Sequence, residues 1–291
     1  MDEIRTENVQ WFPGHMAKTR RQIKECLPLV DAVAELRDAR IPISSTNPEL
    51  NELTENKTKI ILLNKSDLAD EKTTSEWLSF YRSQNIPALA VDCRSGRGLN
   101  DFRPLINRVL AGKIKSNAEK GMAGKPLRIM VVGIPNTGKS SFINRMAGNG
   151  KAKTEDRAGV TRHNKWYVIG NGLELLDTPG VLWPKFDDPD VGLKLAFTGG
   201  IKDEILDTET LSMRLLQILA RDYPERLTER YKVNGFAGIE SYELLELIGR
   251  KRGMLISGGE VDTERAAVML FDELRGGKLG RISFEKVDDI L

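Results

Sequence analysis

The sequence predicts an α/β fold: a six-stranded, mostly parallel sheet, followed by a small all-α domain. Two observations carry this. Up to about residue 199, apolar runs of strand length alternate with stretches of helical character, the pattern of a parallel sheet covered by helices on both faces. Beyond that point the strand-like runs cease, and leucines and isoleucines recur at helical spacing.

Taken in order, strands are expected at Ala32–Arg37, Lys59–Leu63, Ala88–Val91 and Arg128–Val132. Trp166–Ile169 and Leu173–Leu176 flank the tripeptide GNG and read as an antiparallel hairpin. Helices are expected near Lys72–Gln84, Leu99–Leu110 and Lys139–Ala147. Gly112–Lys125, basic, polar and glycine-containing, reads as a loop joining two halves of one sheet. In the last third, Leu211, Leu215, Ile218 and Leu219, then Leu244, Leu245 and Ile248, then Ala266, Leu270 and Leu274 mark three amphipathic helices, the last stopped by Gly276-Gly277. Domains at 1–199 and 200–291 follow, with a helical extension of the first domain as the alternative.

With 291 residues, 40% hydrophobic and 30% charged, the chain has the composition of a soluble globular protein with a substantial core. No apolar run approaches the ~18 residues of a membrane span, and residues 1–19 contain no apolar leader core. Cys26 and Cys93 match no metal-ligand spacing, which suits a reducing, cytoplasmic compartment. Net charge is +2, unevenly spread: residues 200–291 hold 14 Lys/Arg against 18 Asp/Glu. The excess of cations therefore lies upstream, in Lys18, Arg20, Arg21 and Lys24; Lys113, Lys115, Lys120, Lys125 and Arg128; and Lys151, Lys153, Arg157, Arg162 and Lys165. Such clusters suit a polyanion, and each alone equally suits a solvated surface.

Gly133-Ile134-Pro135-Asn136-Thr137-Gly138-Lys139-Ser140 satisfies G-x-x-x-x-G-K-[ST] between an expected strand and an expected helix. Its backbone N–H groups and the helix N-terminus would cradle phosphates. Lys139 would reach the β- and γ-phosphates and the Ser140 hydroxyl would ligate Mg²⁺; Thr137, Gly138 and Ser141 complete the loop. Asn64-Lys65-Ser66-Asp67 ends an apolar strand. The Asp67 carboxylate only accepts, so it matches the N1–H and 2-amino donors of guanine and mismatches adenine. Asn64 would tie this loop to the phosphate loop, and the Lys65 stem would cover the base. Asp92-Cys93-Arg94 reads as a base-side loop. Asp177-Thr178-Pro179-Gly180 supplies Asp177 for Mg²⁺ and the Gly180 N–H for the γ-phosphate; Thr161, in RAGVTR, would complete the Mg²⁺ shell. Alone, NKSD or DTPG is an ordinary turn. Together they describe a GTP site whose base reader precedes its phosphate loop in the chain.

That inverted order, with WFPGHM at Trp11–Met16, DARIP at Asp38–Pro42 and GIPNTGKSS, resembles the circularly permuted GTPases of the ribosome biogenesis GTPase A (YlqF/RbgA) family along nearly the whole chain. The resemblance implies a permuted P-loop GTPase domain with a basic N-terminal arm, a contact of the Cys93 backbone N–H with the base, a helical RNA-binding domain, and a role with ribosomal RNA in maturing the large ribosomal subunit. Cutting a parallel sheet at one surface connection leaves its pairing intact, because strands pair without regard to chain order. The cut after DTPG would lead the γ-phosphate-sensing segment straight into the helical domain.

Val181 and Leu182 stand where many GTPases place a water-orienting Gln. Two residues are candidates to compensate. Asn136 matches an Asn that resembling GTPases use to ligate K⁺; loop geometry is its other explanation. His15, one of two histidines with His163, is given a catalytic role by the resemblance, whereas by sequence alone it is a surface residue of a turn opening a basic helix. Arg250, Lys251 and Arg252 in GRKRG are candidate RNA contacts, joined by Lys278 and Arg281, and equally a complement to a helix dipole. The resulting expectation is a monomeric, GTP/GDP-binding hydrolase that takes Mg²⁺ and K⁺, works on large-subunit precursors and has no membrane partner. The rival is an RNA-binding assembly scaffold whose nucleotide site orders the fold but turns over little.

Overall fold

The computed structural model describes residues 13–148, 154–155, 165–170, 172–180, 182–183, 186, 188–201 and 207–290; side chains at 13–16 and 154–155 are outside that description. Two compact units are present: residues 10–187 together with 283–291, and residues 188–282. The structure thus divides the chain at 187/188, rather than at the expected 199/200, and groups the last nine residues with the sheet.

In the first unit all six expected strands form, as β1 (Ala32–Asp38), β2 (Thr58–Asn64), β3 (Ala88–Ala90), β4 (Leu127–Val132), β6 (Trp166–Ile169) and β7 (Leu173–Asp177). A two-residue edge strand, β5 (Thr154–Glu155), extends the sheet to seven, in the order β3-β2-β1-β4-β7-β6-β5. Pairing from β3 through β7 is parallel, and β6 joins β7 and β5 antiparallel. Every residue of β1 is buried, as expected of a central strand covered on both faces. One face packs Leu36, Ile60, Leu62, Val131 and Leu175 against Phe102, Ile106 and Phe142. The other packs Val33, Met130 and Leu176 against Ile23 and Cys26 of α1 (Pro13–Cys26).

Further helices of this unit are α2 (Pro48–Leu53), capped by Asn47, α3 (Glu71–Ser83), capped by Asp70, α4 (Phe102–Val109), α5 (Ala111–Glu119) and α6 (Lys139–Met146). Helix α5 corrects the expected loop over Gly112–Lys125. Lys113, Lys115, Ala118 and Glu119 are good helix formers, and Gly112 sits in the first turn, where its cost is small; only the stretch from Lys120 onward is irregular. One basic cluster is partly spent inside this unit: Lys113 pairs with Asp31, and Arg128 pairs with Glu174 and lies over the Trp166 ring.

The second unit contains α7 (Pro189–Thr198), α8 (Thr208–Asp222), α9 (Pro224–Tyr231), α10 (Ser241–Lys251) and α11 (Thr263–Arg275). Leu211, Leu215, Leu219, Leu244, Leu245, Ile248, Ala266, Leu270 and Leu274 are all buried, so the helical periodicity marks its core. No described helix is long and apolar enough to cross a membrane.

Candidate nucleotide site

The phosphate loop leaves β4, the NKSD loop leaves β2 and the DTPG segment leaves β7. All three therefore emerge from the carboxyl ends of parallel strands, with β1 and β4, whose connections run in opposite directions across the sheet, side by side between them. Open α/β sheets place ligands at such a crevice.

Asn64 organises the site. Its side chain is 3% exposed; Nδ2 donates to the Thr137 carbonyl at 2.6 Å, and Oδ1 accepts from the Cys93 backbone N–H at 3.0 Å. One amide thereby ties the NKSD loop to the phosphate loop and to the base-side loop. The Cys93 N–H, expected to face the base, is consumed by this bridge. The reason is chemical: an Asn amide presents a donor and an acceptor, and each takes the nearest loop backbone. The neighbouring Arg94 N–H is likewise occupied, donating to Asp92 Oδ1 at 2.7 Å. Burial works against the Asp92 carboxylate, but hydrogen bonds from Ser95 and Arg94 outweigh it and lower its pKa. Asp92 thus holds its own turn. Cys93 is a free, buried thiol, pushed up to about 12 by burial and the Asp92 charge.

Lys65 has φ +60°, a left-handed conformation that aims the loop. Its ammonium lies 2.9 Å from Asp38 Oδ2. Arg40 grips the same carboxylate through Nε (2.9 Å) and Nη2 (2.8 Å). Burial would raise the Asp38 pKa, but Arg40 and Lys65 outweigh it and drive it well below the carboxylate range. The Ala39 N–H donates to the Asn64 carbonyl at 2.8 Å. DARIP is therefore the platform beneath the NKSD loop, a role that motif matching does not assign. The available signal is four charged residues, Glu35, Arg37, Asp38 and Arg40, within or next to a wholly buried strand. Asp67 itself is half-buried.

In the phosphate loop, Gly138 has φ +96°, and a Cβ there would collide with Asn64 Nδ2. The glycine is what admits the Asn64 bridge. Thr137 is buried and donates to the Ile134 carbonyl at 2.9 Å. Asn136 is exposed with φ +61°, and Ser140 and Ser141 are exposed at the start of α6. Lys139 Nζ donates to the carbonyls of Gly133 (3.0 Å) and Ile134 (2.7 Å). A Cβ at Gly180 would lie 2.7 Å from Lys139 Nζ and 3.0 Å from the Pro135 nitrogen, so the DTPG glycine rests against the phosphate loop. Thr178 Oγ1 secures that segment by donating to the Val131 carbonyl at 2.6 Å.

Burial depresses Lys139 to about 8, against a smaller raising effect of Asp177. Burial raises the Asp177 carboxyl, and Lys139 and Lys165 only partly oppose it. A buried lysine short of anions and a carboxylate short of cations suit a phosphate and a divalent cation. Among the described residues no group of three or more His, Cys, Asp or Glu could cage a metal. One carboxylate, one hydroxyl and ligand phosphates are the donor set that Mg²⁺ accepts. Asp177 and Ser140 fit that role. Thr161, the third expected ligand, lies outside the described residues, as does the side chain of His15.

The depressed lysine has a measurable consequence. Phosphate binding favours protonated Lys139, so its pKa rises on binding. Affinity is then complete below pH ~8 and falls as pH climbs from the free value toward the bound one. We expect the GDP dissociation constant to rise steadily from pH 7.5 to 10; a flat profile would remove Lys139 from phosphate binding.

Of the three candidate RNA contacts, Arg250 and Lys251 are exposed at the end of α10. Arg252 is engaged within its own unit: Nη2 reaches both Glu273 oxygens at 3.1 and 3.2 Å, and the guanidinium stands 5.2 Å over the Tyr231 ring. Glu273, buried and shared with Arg230, draws on that charge, while Arg252 as a residue stays exposed.

Comparison with known proteins bears on the whole arrangement. The 50S ribosome-binding GTPase family model matches residues 128–233. The chain is 43% identical to the ribosome biogenesis GTPase A of Bacillus cereus, across 97% of this chain and 95% of that protein. It is 48% identical to that of Priestia megaterium, across 95% and 96%. Among solved structures, a GDP-bound YlqF superposes with a TM-score of 0.67 at 34% identity, covering 92% of this chain and 100% of that one. A GNP-bound YlqF from Thermotoga maritima gives 0.63 at 32%, covering 92% and 98%.

Proposed function

Because the chain belongs to the ribosome biogenesis GTPase A family and is a GTPase of ribosome assembly, we propose that it acts as a switch on large-subunit precursors. It would bind ribosomal RNA in the cytoplasm while loaded with GTP and leave after hydrolysis. The observation that best supports this is the Asn64 bridge, which makes base reader, base-side loop and phosphate loop a single hydrogen-bonded body. Occupancy of one part is then felt by the others.

In this reading Asp67 reads guanine, and Lys139 and the backbone N–H groups of Asn136, Thr137, Gly138, Ser140 and Ser141 receive the phosphates. Ser140, Asp177 and Thr161 hold Mg²⁺, which neutralises charge on the phosphates when bound. The Gly180 N–H takes the γ-phosphate; its loss releases DTPG, as in GTPase switches generally. Ribosomal RNA meets the exposed cations, Arg250, Lys251 and Lys278 in the helical unit and the α1 stripe of Lys18, Arg21 and Lys24. These last three recur at helical spacing and are exposed, opposite the buried Thr19, Ile23 and Cys26. Single-turnover GTP hydrolysis with and without large-subunit precursor particles tests the switch: stimulation supports it, and an unchanged slow rate favours the scaffold.

Asn136 would help ligate K⁺ beside the phosphates, supplying charge that an arginine finger supplies elsewhere. Hydrolysis should accordingly run faster in potassium than in sodium at matched ionic strength. Equal rates in the two salts would leave Asn136 as a loop-shaping residue only.

A further inference from the structure

Ser283, Phe284 and Glu285, in the tail that returns to the sheet unit, contact both flanks of the base-reading loop. Glu285 is 1% exposed. Its carboxyl accepts from the Ile43 N–H at 2.6 Å, from the Ser44 N–H at 3.1 and 3.2 Å, and from the Ser44 hydroxyl. All three donors lie in the turn that continues the DARIP platform. The Phe284 N–H donates to the Arg40 carbonyl at 2.9 Å, and Arg40 is the residue that grips Asp38 beside Lys65. On the far flank, Ser283 Oγ accepts from the Asp70 N–H at 3.0 Å, where Asp70 caps α3 immediately after the loop. Trp77 Nε1 of α3 donates to the Glu285 carbonyl at 3.1 Å.

Placing a carboxyl group out of water is costly unless donors surround it. Here the donors are backbone N–H groups of one tight turn, so the carboxyl and the turn hold each other in a fixed place. From that turn the path to the base reader is two contacts long. Ser45 Oγ accepts from the Asp38 N–H at 3.0 Å, and Asp38 holds Lys65. None of this is required to close the sheet, whose strands pair without the tail.

We propose that Ser283–Glu285 is a strap that positions the guanine-reading loop, with Glu285 as its anchor, so that base discrimination depends on a segment directly continuous with the helical unit. The proposal rests on Asp67 being the guanine reader. Glu285 touches no ligand; it is a positioning residue and acts through Ile43, Ser44, Arg40 and Asp38.

The test uses the full-length protein and the ratio of affinities for GDP and inosine diphosphate. These share every phosphate contact and differ only in the 2-amino group that Asp67 would accept from. Glu285→Ala should lower that ratio by roughly tenfold, the scale of losing hydrogen bonds to a charged group. Glu285→Gln, which keeps one acceptor oxygen and the volume, should fall between the two, and carries the test where alanine is not tolerated. A ratio equal to the parent's in both variants, with affinities unchanged or both weakened alike, overturns the strap and leaves Glu285 a stability residue. A parent that fails to prefer GDP overturns the guanine assignment beneath it, an outcome distinguishable because it needs no variant.

Discussion

Asp67→Asn should exchange GTP for xanthosine triphosphate as the preferred nucleotide. The parent carboxylate accepts from N1–H and from the 2-amino group. The amide keeps one acceptor for N1–H and turns a donor toward position 2, where guanine also donates and xanthine presents an oxo group. A site built for one hydrogen-bond polarity rejects the opposite one strongly, so the ratio of the two affinities should change on the order of 10⁴-fold. The environment favours a clean switch. Asn64 bonds the loop to the phosphate and base-side loops, and Lys65 is fixed to Asp38, so substitution of the half-buried Asp67 leaves the loop's mounting in place. Competition binding of GTP, xanthosine triphosphate and ATP checks it; equal affinity of the parent for ATP and GTP would end the assignment.

How much of this was legible in the sequence divides along physical lines. The sheet was, because a buried parallel strand demands an unbroken apolar run, and each of the six appears within a residue or two of its expected bounds. The phosphate loop was, because glycines at fixed spacing between strand and helix have few other uses. Helix α5 was missed, since its charged residues are good formers on an exposed surface and leave no apolar stripe. The contact of Arg252 with Glu273 was not legible either, because a cation in a basic run carries no local sign of a partner 21 residues away. The Glu285 strap was invisible, because its turn lies about 240 residues upstream and neither partner carries a local pattern. The platform under the NKSD loop was half visible, as charges in a strand too apolar to be a surface.

His15→Ala should abolish stimulation by large-subunit particles while leaving GTP affinity nearly unchanged. Without a Gln in the position after Gly180, the isolated protein should bind GTP and hydrolyse it slowly. A neutral imidazole is suited to orienting water or moving a proton near neutral pH. His15 stands in the first turn of α1, one turn ahead of Lys18, and Lys18, Arg21 and Lys24 form an exposed cationic stripe along that helix. RNA meeting the stripe would seat the start of α1, and with it His15, only when the correct subunit surface is present. Hydrolysis then reports assembly, which is what makes a slow intrinsic rate useful instead of defective. Loss of one positioned acid–base group costs roughly 10²–10⁴-fold, and that whole factor should vanish from the stimulated rate and not from the basal one. Charge reversal of Lys18, Arg21 and Lys24 should weaken particle binding and lose stimulation with His15 intact, which separates docking from chemistry. If His15→Ala is stimulated as fully as the parent, the water is oriented by K⁺ at Asn136 or by ribosomal RNA itself, and His15 serves only to open the helix.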